Sequence, residues 1–319
     1  MRKGLSANKK NSVLVIAGPT ASGKSEISIA ACRKLNGEII SADSMQVYRH
    51  LDIGTAKPKL PQLREIRHHL IDIRDPDEDF NAGDFKRLSE KAIEAILGKG
   101  KLPVVIGGTG LYIRALVDGL CDCPHENREL RKKLLGLAKQ GDGSAVHEYL
   151  RKVDPDSAKK IDPNNTLRII RALEVYELSG KPISKHHERT KKTGYNFIMF
   201  GIKRKRELLY GRIDNRVAEM LKAGLLDEVR GLLDKGYGGQ LKPMQSIGYR
   251  QAVSYLNGEY DYETMFSLIK RDTRRYAKRQ LTWWNKDDRV EWLEVDSGDT
   301  PEKIADLIAM KFNKKAEHA

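Results

Sequence analysis

Gly18-Pro19-Thr20-Ala21-Ser22-Gly23-Lys24-Ser25 is the stretch on which the fold of this chain turns. It follows a short apolar run over 13–17 and leads into 24–35, whose pattern predicts a helix. A strand, a glycine-bounded loop and a helix in that order make the phosphate-binding loop G-x-x-x-x-G-K-[ST]. The glycines let backbone N–H groups turn inward around phosphate oxygens, and the helix N-terminus adds a partial positive charge. Lys24 is expected to reach an outer phosphate, and the Ser25 hydroxyl to ligate Mg²⁺. A tight turn without a ligand is the plainer alternative, and the agreement of strand, spacing and helix weighs against it.

Beyond this loop, further apolar strands are expected over 38–41, 102–106, 196–202 and 290–295. Helices are expected over 82–97 behind the cap Asn81, over 207–221, 225–233 and 262–284, and after Thr300 and Pro301. This alternation predicts an α/β fold, a P-loop NTPase-like parallel sheet covered by helices on both faces. Residues 42–80, punctuated by Gly54, Pro58, Pro61 and Pro76, read as irregular. Between 121 and 195 no convincing strand occurs, and helices over 129–139, 146–151 and 165–178 read as a helical insertion. The expected division is therefore a core of 1–120 with 196–319, and an insertion of 121–195.

Composition narrows the partners. The chain has 319 residues and a formal net charge of +14, which suits a polyanionic partner such as nucleic acid and equally a plain lysine-rich solvated surface. No apolar run approaches the roughly 18 residues of a membrane helix. The basic start MRKGLSANKK reads as a frayed tail rather than a signal peptide, so a cytoplasmic location is expected. Cys32, Cys121 and Cys123 do not make a disulfide framework. Cys121 and Cys123 are read as loop thiols in preference to a metal site with His125.

Read alone, the P-loop proposes a nucleotide-binding, ATP-using kinase. Such enzymes usually carry a carboxylate at the end of a second strand. Here the run 104–106 continues into Gly107-Gly108-Thr109-Gly110, without one. The acid stands instead after the other strand, as Asp43 in Ser41-Ala42-Asp43-Ser44. Strand carboxyl ends converge on the ligand crevice of an open parallel sheet, which puts Asp43 and Thr109 beside the P-loop. Asp43 suits a metal ligand, a general base or a helix cap, and its position alone does not choose.

The segments GPTASGKS, SADSMQVYRHLDIGTAKP, GGTGLYIRALVDGL, PNNTLRIIRALEVYELSGKPIS and MQSIGYRQ together resemble the bacterial tRNA dimethylallyltransferase (isopentenyltransferase) family. The resemblance runs in order from about residue 13 to 284. It implies that Gly18–Ser25 hold the pyrophosphate of dimethylallyl diphosphate rather than ATP. The five-carbon group would go to N6 of the adenine just 3′ of the anticodon, in tRNAs reading codons that begin with U. By the same resemblance Asp43 is the base, Thr109 lies near the reacting centre, and Arg212 clamps the pyrophosphate, with Arg216 one turn further along. Asp43, Ser44, Met45 and Gln46 are implied to contact the extruded adenine and its neighbours. Arg131 and the run Leu167-Arg168-Ile169-Ile170-Arg171 are implied to contact tRNA. Leu167 stands where many relatives carry Gln, without that residue's polar group.

Lys270, Arg271, Arg274, Arg275, Lys278 and Arg279 make one face of the 262–284 helix basic, able to grip phosphates. Trp283 and Trp284 could stack on bases, although at least one is expected in the core. Eukaryotic members often add a C-terminal zinc finger, and with no cysteine after Cys123 none is expected here. Two rivals remain at this point: a small P-loop kinase, and an RNA-binding protein with an inactive P-loop. Nothing in the sequence demands more than a monomer.

Overall fold

Strand β1 (Ser12–Ala17) occupies the middle of a six-stranded sheet and is buried along its whole length. The other strands are β2 (Gly37–Ser41), β3 (His68–His69), β4 (Leu102–Gly107), β5 (Asn196–Lys203) and β6 (Val290–Glu294). All pair in parallel, in the order β3-β2-β4-β1-β5-β6. The computed structural model describes residues 11–121, 123–140, 144–187 and 193–317. The basic tail MRKGLSANKK, read above as frayed, lies outside them.

Side chains alternate across the sheet as a two-residue period requires. Val13, Val15, Ile40, Val105 and Met199 face one layer of helices, among them Ala82–Gly98, Arg206–Lys222 and Tyr262–Trp284. Leu14, Ile16, Ile39, Val104, Ile198 and Phe200 face the other, where Lys24–Leu35 packs beside Pro301–Glu317. Burial on both faces explains why the central strands read as continuous apolar runs. The expected caps are present. The Asn81 side chain accepts the Gly83 and Asp84 N–H groups, and the Thr300 hydroxyl accepts that of Lys303.

Residues 42–80 are less irregular than expected, since they contain β3 and the short helix Leu60–Glu65. The helix Gly110–Asp118 was also not expected. Thr109 stands at its cap position, but the glycines around it read as a turn, and nine residues are too few for the periodicity to stand out.

The chain divides into two compact units, 1–117 with 194–319, and 118–193. The second is helical, with Arg128–Gln140, Ser144–Val153, Pro155–Lys160, Thr166–Ser179 and Ile183–His187. It has its own core around Leu134, Val146, Leu150, Ile169, Ile170 and Leu173. In its first residues Cys121 and Cys123 are bonded to one another, which corrects the expectation of free thiols. Their Cα atoms lie 5.4 Å apart, within the span of a disulfide.

One buried acid ties the sheet edge together. Glu38 on β2 accepts hydrogen bonds from His69 Nε2 at 2.8 Å, Lys101 Nζ at 2.9 Å and Lys99 Nζ at 3.3 Å. Burial alone would raise its pKa, but these donors hold it near 2 against an ordinary 4.5. The folded pKa is depressed, so the stability Glu38 contributes is fully present above about pH 4.5 and lost as pH falls through about 2. The melting-temperature gap between the wild type and Glu38→Gln should therefore be constant near neutrality and narrow over that acid window. A gap that does not change with pH would show that this network does not set the acid stability of the fold.

Candidate active site

The loop between β1 and the helix Lys24–Leu35 has the backbone its glycines permit. Gly18 has φ +144° and Gly23 φ +94°, and a Cβ on Gly18 would lie 2.7 Å from the Ile202 carbonyl. The loop's carbonyls are taken by cations. Arg204 Nε donates to Ser22 O at 2.8 Å, Arg212 Nε to Ala21 O at 2.9 Å, and Lys24 Nζ to Pro19 O at 2.5 Å. What remains to offer a ligand are amides, including those of the first helical turn, which have no intrahelical partner. The Ser22 hydroxyl is buried in this loop without a hydrogen-bond partner.

The carboxylate side is built by a continuation of the ladder past the strand ends. Ala42 N donates to Ile106 O at 2.7 Å, and Thr109 N to Ala42 O at 3.4 Å. Gly107 makes the approach possible, since a Cβ there would sit 2.2 Å from the Ala42 carbonyl oxygen. Asp43 and Thr109 are thereby held on neighbouring strand ends, with β4 next to β1 and its loop. Asp43 Oδ1 accepts the Met45 and Gln46 N–H groups at 2.8 and 3.3 Å. This oxygen holds the turn over 43–46, and since no helix follows there, the helix-cap role left open by the sequence is not met. The described residues place no donor on Oδ2, so the other oxygen is left for chemistry.

Electrostatics link the two sides. Burial, and then the charge of Arg216, push the Lys24 ammonium down to about 7, while Asp43 and Glu26 oppose them. Arg216 is itself lowered, by burial first, and is supported by Asp43 and Glu26. Arg212 and Arg216 are thus separated by the fold. Arg212 is exposed and grips the outside of the loop, whereas the half-buried Arg216 carries the charge felt by both Lys24 and Asp43.

Two residues that sequence reasoning passed over complete the site. Gln280 accepts the Thr20 N–H on Oε1 at 2.8 Å and donates from Nε2 to Gly108 O at 3.0 Å, bridging the P-loop and the Gly107–Gly110 turn. Tyr276, one turn earlier, is hydrogen-bonded with Thr109 and Gln280. Burial and then Asp43 push its phenol up to about 12, so it stays neutral. The signal was available: both are polar residues on the buried face of an otherwise basic helix. Trp284 is core, as expected for one of the pair, while Trp283 packs against Gly110, where a Cβ would meet its ring at 2.2 Å.

The remaining implied contacts divide sharply. Ser44 and Met45 are half-buried in the turn that Asp43 caps. Gln46 has both ends of its amide engaged: Oε1 accepts the Ser41 hydroxyl at 2.9 Å, and Nε2 donates to Thr55 O at 3.2 Å. In the helical unit Leu167 is 75% exposed and Arg168 is exposed. Ile169 and Ile170 are buried in that unit's core, so their side chains are removed from any RNA contact. A helix cannot turn five consecutive side chains outward. Arg131 and Arg171 both donate to the buried Glu174, at 3.1 and 2.5 Å, and so serve the unit's packing in this structure.

The IPP transferase family model matches residues 46–287, a span that takes in Thr109, Arg212, Arg216, Tyr276 and Gln280. The chain belongs to the IPP transferase family. Within this family it is 50% identical over 298 residues to tRNA dimethylallyltransferase 1 of Pelobacter propionicus, covering 93% of this chain and 95% of the relative. It is 49% identical over 302 residues to the tRNA dimethylallyltransferase of Acetivibrio thermocellus, covering 92% and 95%. Among solved IPP transferases, the full-length tRNA isopentenylpyrophosphate transferase of Bacillus halodurans superposes with a TM-score of 0.71 at 39% identity, covering 97% of this chain and 100% of that one. A eukaryotic dimethylallyltransferase acting on tRNA superposes with a TM-score of 0.83 at 31% identity, covering 97% and 80%.

The P-loop of this IPP transferase carries a testable charge state. With Lys24 titrating near 7, an anion in the loop restores the ammonium form and takes up a proton above that pH. Binding of inorganic diphosphate at about pH 8–9, where an ordinary lysine of pKa about 10.4 stays charged, should show proton uptake in calorimetry across buffers of different ionisation enthalpy. Lys24→Met should abolish the uptake. The same uptake in the variant would place the titrating group elsewhere.

Proposed function

We propose that this chain transfers the dimethylallyl group of dimethylallyl diphosphate to N6 of the adenine 3′-adjacent to the anticodon in tRNA, releasing diphosphate. The observation that carries the reading is the bridge through Gln280. It couples a phosphate cradle to a strand-end carboxylate whose second oxygen has no donor among the described residues.

An adenine amino group is a weak nucleophile because its lone pair is delocalised into the ring. In the reaction the N6–carbon bond forms as the allylic carbon–oxygen bond breaks. Asp43 Oδ2 takes the N6 proton, and the electron pair of the broken bond leaves on diphosphate. The P-loop amides, Lys24 and Arg216 face the negative charge that builds there. Arg212, on the outer side of the loop, holds the cradle's shape and the trailing phosphate. Thr109, held by its hydrogen bond with Tyr276, offers a hydroxyl near the reacting centre.

Mg²⁺ fits the donor set. Among the described residues no three His, Cys, Asp or Glu side chains cluster to cage an ion. Mg²⁺ is ordinarily held by one or two protein oxygens together with substrate phosphates. The exposed Ser25 hydroxyl at the helix start and the unpartnered Ser22 hydroxyl supply such oxygens. When bound, the ion neutralises charge on the diphosphate.

Ser44, Met45 and Gln46 frame the extruded base. The exposed Leu167 and Arg168 meet tRNA from the helical unit, joined by Arg131 and Arg171 if RNA phosphate replaces their bond to Glu174. The enzyme works as a cytoplasmic monomer in this reading, since one chain supplies every group named. A kinase reading keeps the cradle but leaves Asp43 Oδ2 and the basic surface without a task.

Radiolabelled dimethylallyl diphosphate and unmodified tRNA should yield labelled tRNA with the purified protein. ATP-dependent phosphorylation of a small acceptor, with no label in tRNA, would replace this function with the kinase. Asp43→Ala should lower turnover by roughly 10²–10⁴-fold with tRNA affinity nearly kept, as removal of a positioned base does. Gln280→Leu should lower kcat on the order of 10–10²-fold while both KM values change little, because it loosens alignment rather than binding. Wild-type turnover in either variant would take that residue out of the mechanism.

A further inference from the structure

Away from the cradle, a second cavity of about 400 Å³ opens between the helices Arg206–Lys222 and Tyr262–Trp284. It is lined by Tyr210, Ser267, Lys270, Arg271, Arg274, Arg275 and Lys278. Positions 270, 274 and 278 follow one another at a turn each, so their charges form a row with a step of about 6 Å. Arg271 and Arg275 form a parallel row beside it.

One of the two acids paired at this surface is set beneath the cations. Asp272, only 15% exposed, pairs with Arg271, Arg275 and Arg250, whose side chains are 50%, 63% and 49% exposed. Asp214 is spent on Arg274, whose guanidinium also lies 5.4 Å from the Tyr210 ring centre. Lys270 sits over the Phe266 ring at 3.9 Å, and Lys278 makes no ion pair among the described residues. Five cations thus line the groove against two carboxylates, leaving an excess of positive charge there. The carboxylates order the guanidinium groups without cancelling them.

We propose that this groove is a docking site for the RNA sugar-phosphate backbone, taken up by phosphates of the tRNA substrate outside the nucleotide that reacts. The assignment rests on the tRNA reading above. The lining follows the helix from Ser267 to Lys278, and charges repeating once per helical turn suit a phosphate chain better than one compact anion. Tyr210 offers a flat ring to the ribose or base edge beside it. Gln280 and Tyr276 lie on the same helix but on its buried face. Backbone held in the groove is therefore registered against the site by one rigid element.

The test uses the full chain, unmodified tRNA and the double variants Arg271→Glu with Arg275→Glu and Lys270→Glu with Lys278→Glu. The neutral Arg271→Gln with Arg275→Gln is the control for folding, alongside thermal melting of each protein. Each reversal should weaken tRNA binding on the order of 10-fold or more, and flatten the slope of log K against log salt by about 0.7–0.9 for each phosphate the groove no longer neutralises. The KM for dimethylallyl diphosphate, and kcat at saturating tRNA, should stay at wild-type values. Folded variants with wild-type tRNA affinity and salt slope would overturn the groove while leaving a wild type that labels tRNA untouched. A wild type that labels no tRNA, yet loses tRNA binding in the variants, would overturn the function and support the groove.

Discussion

The site depends on one amide side chain. Gln280 holds an N–H of the P-loop with its oxygen and a carbonyl of the Gly107–Gly110 turn with its nitrogen, at 2.8 and 3.0 Å. The spacing between the phosphate cradle and the Asp43 side is therefore set by a buried group on the core-packed face of a long helix, whose other face is basic. It also requires Gly108, because a Cβ there would sit 2.1 Å from Gln280 Nε2. A hydrogen bond to a buried backbone group contributes modestly to stability, but losing it strands both partners. Geometry is what such a bond controls.

Around that bridge the protein gathers like charges and leaves them partly unresolved. Lys24, Arg204, Arg212 and Arg216 converge on one loop, and the shifts of Lys24, Arg204 and Arg216 all run in the direction that burial and mutual repulsion dictate. Asp43 and Glu26 offset only part of this. A bound anion would relieve the repulsion, which suits the loop to the diphosphate proposed above. In the proposed reaction the same arrangement favours the moment of bond breaking, when negative charge on the leaving group is greatest.

A third carboxylate shows how the loop around residues 52–54 is held without regular structure. Glu228 accepts the N–H groups of Asp52, Ile53 and Gly54 and the Tyr249 hydroxyl. Gly54 lies so close that a Cβ would overlap the Tyr249 ring. The loop then offers the Thr55 carbonyl to Gln46, beside Asp43. The segment DIGTAKP thus acts as a brace for the turn that presents the carboxylate. Its glycine and its backbone amides carry the task, so periodicity could not reveal it.

Much of this was legible in the sequence because it depends on local rules. The P-loop glycines, the apolar runs of the sheet, the Asn81 and Thr300 caps and the acid after β2 all follow from conformational preference, burial and topology. The absence of an acid after Thr109 already turned the reading from phosphoryl transfer toward a leaving-group cradle. What the chain order could not decide was which groups meet across space. Gln280 lies 260 residues from Thr20, and Arg212 and Arg216 differ by one turn of a single helix. Ile169 and Ile170 sit beside an exposed Arg168 in one short run, yet packing buries them. Sequence determined the chemistry on offer, because residue type and local geometry are carried by neighbours along the chain. Tertiary structure decided which side chains are spent on the fold and which are left for a substrate, because burial and hydrogen-bond partnership are settled between distant segments.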